Sequence, residues 1–318
     1  MRYAPSTGRT VTSSSSINKK KSVTVFRTLA APILAVLAAC LFAVCVQAQE
    51  FPVPKLANYK DILDNAERDV GIFRFSRQGR VLIIDFPSLM QQGATFNRVS
   101  AFIERQHAPH DRVLREDEFG RYLEALGKTQ ETLSYGNNFT VGNLVVFFNL
   151  ADDQGVPLNG YERALLQLLT AQKLVAKRTG FYQASDPSAV VLSIPKVGAA
   201  PAGAQAVNTQ IRSSIFRHEL SHAEYYVNER YAEFCRAFWR EALNDDQRKG
   251  FREFFARSTY DTDIEEVVIN EWQAYLMHTP DKAAFRAAMV GMQDEELEQL
   301  RQSFAKQSAA NGVTLSLM

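Results

Sequence analysis

Ile211-Arg212-Ser213-Ser214-Ile215-Phe216-Arg217-His218-Glu219-Leu220-Ser221-His222 reads as one helix. At about 100° per residue, Ile211, Ile215, His218 and His222 form one stripe, and Phe216, Leu220, Ala223 and Val227 form a second roughly 150° away. Ser213, Ser214, Arg217, Ser221 and Glu224 fall on the remaining polar face. A surface helix needs only one apolar stripe. A second stripe that carries histidines is expected of a helix that packs on a core and also floors a cleft.

His218 and His222 stand one helical turn apart on one face, the spacing at which two imidazoles share a metal ion. Glu219 lies slightly to the side. A zinc ion lowers the pKa of a water toward neutrality, and Glu219 is positioned to take the proton. Two histidines and a water leave one protein ligand to find. A third histidine six residues after His222 would supply it, but Asn228 stands there and the next histidine is His278. The carboxylates of Asp261, Asp263, Glu265, Glu266 and Glu271 are the other option. Glu271 shares a helical stripe with Ile264, Val267, Val268, Tyr275 and His278, whereas Glu265 and Glu266 point elsewhere. A carboxylate on a mostly apolar face needs a cation, either a metal or a buried arginine.

His218 to His222, followed 49 residues later by Asn270-Glu271-Trp272-Gln273-Ala274-Tyr275, resembles the gluzincin metallopeptidases, the thermolysin-like branch of the zincins. The likeness covers roughly residues 189–278. It implies that His218, His222 and Glu271 bind zinc and that Glu219 is the general base. The chain departs from that pattern at Tyr275, where those enzymes carry an aspartate that orients a ligand histidine. Asn270 or another group has to take that role here. Transition-state stabilisation needs a donor beside the metal. Tyr275 and His278 follow Glu271 at helical spacing and are the catalytic candidates, with Tyr225 and Tyr226 also near in sequence. His107 and His110 read as surface loop residues.

The 318 residues, 46% of them hydrophobic, are ample for one sizeable core or two modest lobes. Six of the 36 basic side chains and no acidic one precede residue 49, leaving 30 basic against 35 acidic, a net of about −5. A mildly acidic body excludes nucleic acid as the expected partner. The start of the chain is Ser-rich, then basic at Lys19-Lys20-Lys21, then apolar from Leu29 to Val46, with Val46-Gln47-Ala48 at its end. Residues 1–48 therefore read as a secretory signal cut after Ala48. A retained membrane anchor over 28–46, or a lipoprotein at Leu37-Ala38-Ala39-Cys40, is the alternative. Cys40 and Cys45 belong to this segment, so Cys235, expected as a buried small hydrophobe, has no internal disulfide partner. That fits a bacterial envelope, periplasmic or secreted.

Beyond the leader the expectation is an α+β fold: a small sheet containing an antiparallel hairpin, and a mainly helical C-terminal half with a zincin-like helix. A short helix over 59–70 leads to strands over 72–77 and 81–86 joined at Gln78-Gly79. Helices follow over 96–105, 116–126 and 161–176, then a strand over 190–194. The Ala- and Gly-rich loop 196–206 is a linker or a lid, and 207–309 is almost wholly helical. The expected division is an α+β region over 49–188 and a catalytic region over 189–318. The expected function is an exported zinc peptidase with a protein or peptide as its partner. The alternatives are a non-catalytic, metal-containing envelope protein and a zinc hydrolase of non-peptide substrates.

Overall fold

The structure is a computed structural model that describes residues 51–203 and 205–315. The expected signal, anchor and lipoprotein segments lie outside the described residues. Among the described residues no helix is long and apolar enough to cross a membrane.

The fold is α+β. Strand β1 is Lys55–Ala57, β2 Gly71–Phe75, β3 Val81–Phe86, β4 Asn137–Thr140 and β7 Val190–Pro195. They form one sheet in the order β1-β2-β3-β7-β4. The expected hairpin is present, with β2 antiparallel to β3 and Ile72 opposite Ile84. Strand β3 then pairs parallel with β7, and β7 antiparallel with β4. The strand that opens the C-terminal region thus lies between two strands of the N-terminal one, and both regions share one sheet.

Alternation along the strands sets two cores. Ile72, Leu82, Ile84, Phe86, Phe139 and Val191 face one side, in a core shared with helices α2 (Leu89–Glu104), α4 (Val141–Asp153) and α5 (Gly160–Ala171). Phe73, Phe75, Val81, Ile83, Leu192 and Ile194 face the other, where Phe216, Leu220 and Ala223 of helix α6 (Thr209–Val227) cover them. The C-terminal half adds α7 (Glu229–Glu241), α8 (Asp245–Arg257), α9 (Glu265–His278), a 3-10 turn (Ala287–Val290) and α10 (Asp294–Ala310) around a third core. Trp239, Trp272 and Phe304 meet there, and Cys235 is buried among them as expected.

Helix α6 is more enclosed than its sequence suggests. Ser214, Ser221 and Glu224, expected on a polar face, are buried. Its N-terminus is capped by Asn208, whose side chain accepts the Ile211 N–H. One turn on, the Arg212 guanidinium enters the interior. It donates to both oxygens of Asp85, at 2.6 Å and 3.1 Å, and to the carbonyls of Pro195, Ile62 and Leu63. Lys196 Nζ and Asn65 Nδ2 donate to the same carboxylate, at 2.9 Å and 2.8 Å. These bonds end the first helix early. The helix expected over 59–70 stops as α1 at Tyr59–Leu63, where Arg212 takes its last carbonyls.

Other boundaries moved for local reasons. The helix expected over 161–176 ends at Ala171, and Val175–Arg178 (β5) pairs with Phe181–Ala184 (β6) as a separate hairpin. Thr179 and Gly180 at its turn both have positive φ, at 48° and 93°, as a tight hairpin turn requires. Helix α2 begins at Leu89 rather than 96, with Ser88 as its cap. The helix expected over 116–126 appears as α3, Glu116–Ala125. The 196–206 loop is pinned at its stem, where Gly198 N–H donates to Val207 O and Val207 N–H donates to Ala199 O, each at 2.8 Å.

Asp85→Asn leaves Arg212 and Lys196 buried without their counter-charge. The expected loss is about 3–5 kcal/mol of stability, checked by chemical denaturation beside the wild type.

Candidate metal centre

Helices α6 and α9 pack against each other, and three side chains converge between them. His218 Nε2 and His222 Nε2 are 3.0 Å apart. Glu271 Oε2 lies 3.6 Å from His218 Nε2, and its Oε1 lies 3.6 Å from His222 Nε2. All three side chains are buried. Among the described residues they are the group of His, Cys, Asp or Glu side chains close enough together to hold a metal ion.

The outer nitrogens fix the tautomers. Thr279 Oγ1 donates its one proton to Ala274 O at 3.0 Å, so at 2.8 Å it accepts from His218 Nδ1–H. Asn270 Oδ1, which also accepts from Gln273 Nε2, accepts from His222 Nδ1–H at 2.9 Å. Both Nε2 atoms therefore carry lone pairs, and the lone pairs face each other. Burial pushes the His218 imidazole down to about 3. Burial also lowers His222, to about 4, although Glu271 opposes it. A proton is thus not what holds the pair together near neutrality. Glu271 adds a third electron donor: its Oε2 is buried without a hydrogen-bond partner. Burial raises the Glu271 carboxyl, while His222, Arg105 and a hydrogen bond from Tyr260 pull it down.

This donor set fits zinc. Ligand atoms about 2.0–2.2 Å from a tetrahedral zinc stand about 3.3 Å apart, close to the separations seen, and two imidazoles with one carboxylate leave a fourth position open. The second nitrogen of each histidine is held by Thr279 or Asn270, the support that metal-binding imidazoles usually have. Asn270 therefore takes the role that the sequence left open at the Tyr275 departure, and Thr279 takes it for the other histidine.

The remaining predicted residues separate. Glu219, His218 and Tyr275 line a cavity of about 630 Å³. Glu219 Oε2 accepts from Asn138 Nδ2 of β4 at 3.0 Å. Its Oε1 rests on Gly136, where an added Cβ would lie 2.1 Å away. Burial raises the Glu219 carboxyl well above its ordinary value, and Asn138 opposes the shift. Tyr275 packs edge-on to the His218 ring, with centroids 4.7 Å apart. His278 turns away. Tyr231 gives its hydroxyl proton to Gln273 Oε1 at 2.7 Å, so its oxygen accepts from His278 Nε2 at 3.3 Å, and His278 does not line the cavity. Glu265 and Glu266 do point elsewhere, to Arg252 and Arg236. Tyr225 bonds Glu266 rather than facing the cavity. His110, on the surface, pairs with Asp261 at 3.0 Å.

Sequence reasoning missed Asn138, Gly136, Thr279, Tyr260 and Arg105. Arg105 and Tyr260 both line the cavity, with the guanidinium 4.1 Å from the ring centroid. Arg105 is itself buried and donates to Ser134 Oγ and Ser258 O, beside Glu104. No family model, curated protein or solved structure matches this chain.

Thr279→Val removes the acceptor for His218 Nδ1–H. Zinc affinity, measured by competition with a chelator, is expected to fall about 10–100-fold, with the helical circular dichroism unchanged.

Proposed function

We propose that this chain is a zinc-dependent hydrolase of peptide bonds, of the gluzincin kind. The observation that carries the reading is the convergence of His218, His222 and Glu271 beside the Glu219 carboxyl, with His218 and Glu219 on the wall of one cavity. His278, the histidine that would close a purely structural site, is engaged by Tyr231 instead. That leaves three protein ligands, the number usual for catalytic zinc.

Zinc in such a site supplies a Lewis acid that polarises a carbonyl and makes water acidic enough to deprotonate near neutrality. The protein's own work is proton handling and orientation. Glu219 takes a proton from the attacking water and delivers it to the leaving amine. Burial raises its carboxyl and makes the carboxylate a stronger base toward the water, and the leaving amine, more basic than any carboxylate, then takes the proton from it. Asn138 and Gly136 hold it at one angle. Burial pushes the Tyr275 phenol up, so it stays protonated and able to donate to a developing oxyanion, whereas the Tyr260 proton is already given to Glu271.

Peptide is favoured over other substrates by the strand beside the cavity. Ser134, Tyr135 and Gly136 line the wall and run directly into β4, the last strand of the sheet order. An extended peptide adds to such an edge through main-chain hydrogen bonds.

The first test is metal content by mass spectrometry on the chain from residue 49, followed by cleavage of a peptide library. We expect about one zinc per chain, lost in His218→Ala and Glu271→Ala. Glu219→Gln should keep the zinc and lose about 10²–10⁴-fold in kcat/KM. A wild type that binds no zinc after reconstitution, or a Glu219→Gln chain that still cleaves, refutes the reading. Gly136→Ala separates positioning from metal binding. Its methyl displaces the Glu219 carboxyl, so zinc content should hold while kcat drops by about 10²-fold.

A further inference from the structure

The charges around the cavity run against those of the protein as a whole. The chain beyond the leader carries an excess of acidic side chains, yet Arg105, Lys128 and Arg257 all line this one cavity. The acidic side chains lining it are Glu219 and Asp281. Glu219 is held by Asn138, and Asp281 Oδ1 accepts the Ala283 N–H at 2.9 Å. Arg105 is neutralised locally by Glu104 at 3.2 Å. Lys128 and Arg257 are not: neither forms an ion pair among the described residues.

Their positions give each a partial reason to be basic, but no carboxylate. Arg257 ends α8, where a cation meets the helix dipole, and one of its nitrogens donates to Met289 O. Lys128 follows α3 and approaches the cavity from the opposite part of the chain. Two uncompensated cations from different elements therefore share one concave surface, where low-dielectric walls focus their field. The same cavity carries an apolar wall from Val207, Ile211 and Ile215.

We infer that the cavity selects peptides that present a carboxylate to Lys128 and Arg257 while apolar side chains rest on the α6 wall. This rests on the peptide-hydrolase reading and names its substrate class. The carboxylate is either an Asp or Glu side chain or the peptide's free C-terminus, which are the same chemistry to an ammonium and a guanidinium.

The test is direct binding to the zinc-loaded Glu219→Gln chain, by fluorescence anisotropy. The probes are labelled decapeptides of Ala, Leu and Gly carrying two Glu or two Gln, each with a free or an amidated C-terminus. Glu peptides, or free-acid peptides, should bind roughly three- to tenfold tighter than their neutral counterparts. Which pair differs identifies the source of the carboxylate. Lys128→Ala with Arg257→Ala should erase that preference and its salt dependence while leaving the neutral peptides' affinity unchanged. Equal binding of charged and neutral peptides, a preference that survives the double substitution, or no binding of any acidic peptide overturns the inference. Cleavage by the wild type is scored separately. If acidic peptides bind but are never cut, the hydrolase reading fails and the recognition stands.

Discussion

Arg212 carries its charge into the interior and meets Asp85 of β3 there. A hydrophobic pair of equal volume would serve stability at least as well. What the ion pair adds is position. The guanidinium must reach Asp85 and the carbonyls of Ile62, Leu63 and Pro195 together, and only one height and rotation of α6 satisfies all of them. Phe216 and Leu220 then fall on the sheet, and His218 and His222 fall toward α9. Once α6 is placed, every polar atom on its α9 side needs a partner from α9 or the residues just after it. Asn270, Gln273 and Thr279 supply those partners.

The site inverts the usual logic of a protein interior. Buried polar atoms are normally paired donor to acceptor. Here two imidazole lone pairs and a carboxylate converge, and the donors that would quiet them are turned outward. A divalent cation between them would be attracted by all three groups at once. The same ion would reverse the environment of Glu271, whose carboxyl burial otherwise raises.

Legibility in the sequence followed distance along the chain. The hairpin of β2 and β3 and the two-stripe pattern of α6 are local, and periodicity found them. Glu271 was reachable because its carboxylate breaks an apolar stripe. The polar face assigned to Ser214, Ser221 and Glu224 was misread, because burial against a distant helix leaves no trace in local hydropathy. The start of β5 lies inside the helix expected to run to Ala176, and the Thr179-Gly180 turn and β6 beyond it carried no expectation. Asn138 lies 81 residues before Glu219 in the chain, and Thr279 lies 61 after His218. Neither carries a motif. Each matters only because the sheet and the α6–α9 contact bring it near. Gly136 left a weaker trace, a lone glycine before a short strand, which gives no reason until the Glu219 carboxyl is seen resting on it.

The strand order has a consequence for how the chain assembles. Strands β3 and β4 are made early but share no hydrogen bond, because the strand that joins them, β7, lies at residues 190–195. Until β7 has been synthesised and inserted, β3 lacks its parallel partner and β4 lacks any partner in the sheet. The nascent N-terminal portion therefore presents open apolar edges to its surroundings, and the sheet closes only through long-range pairing, the slow kind. A ribosome stalled before residue 190 would hold a chain with its β2–β3 hairpin complete and without the strand that joins β3 to β4.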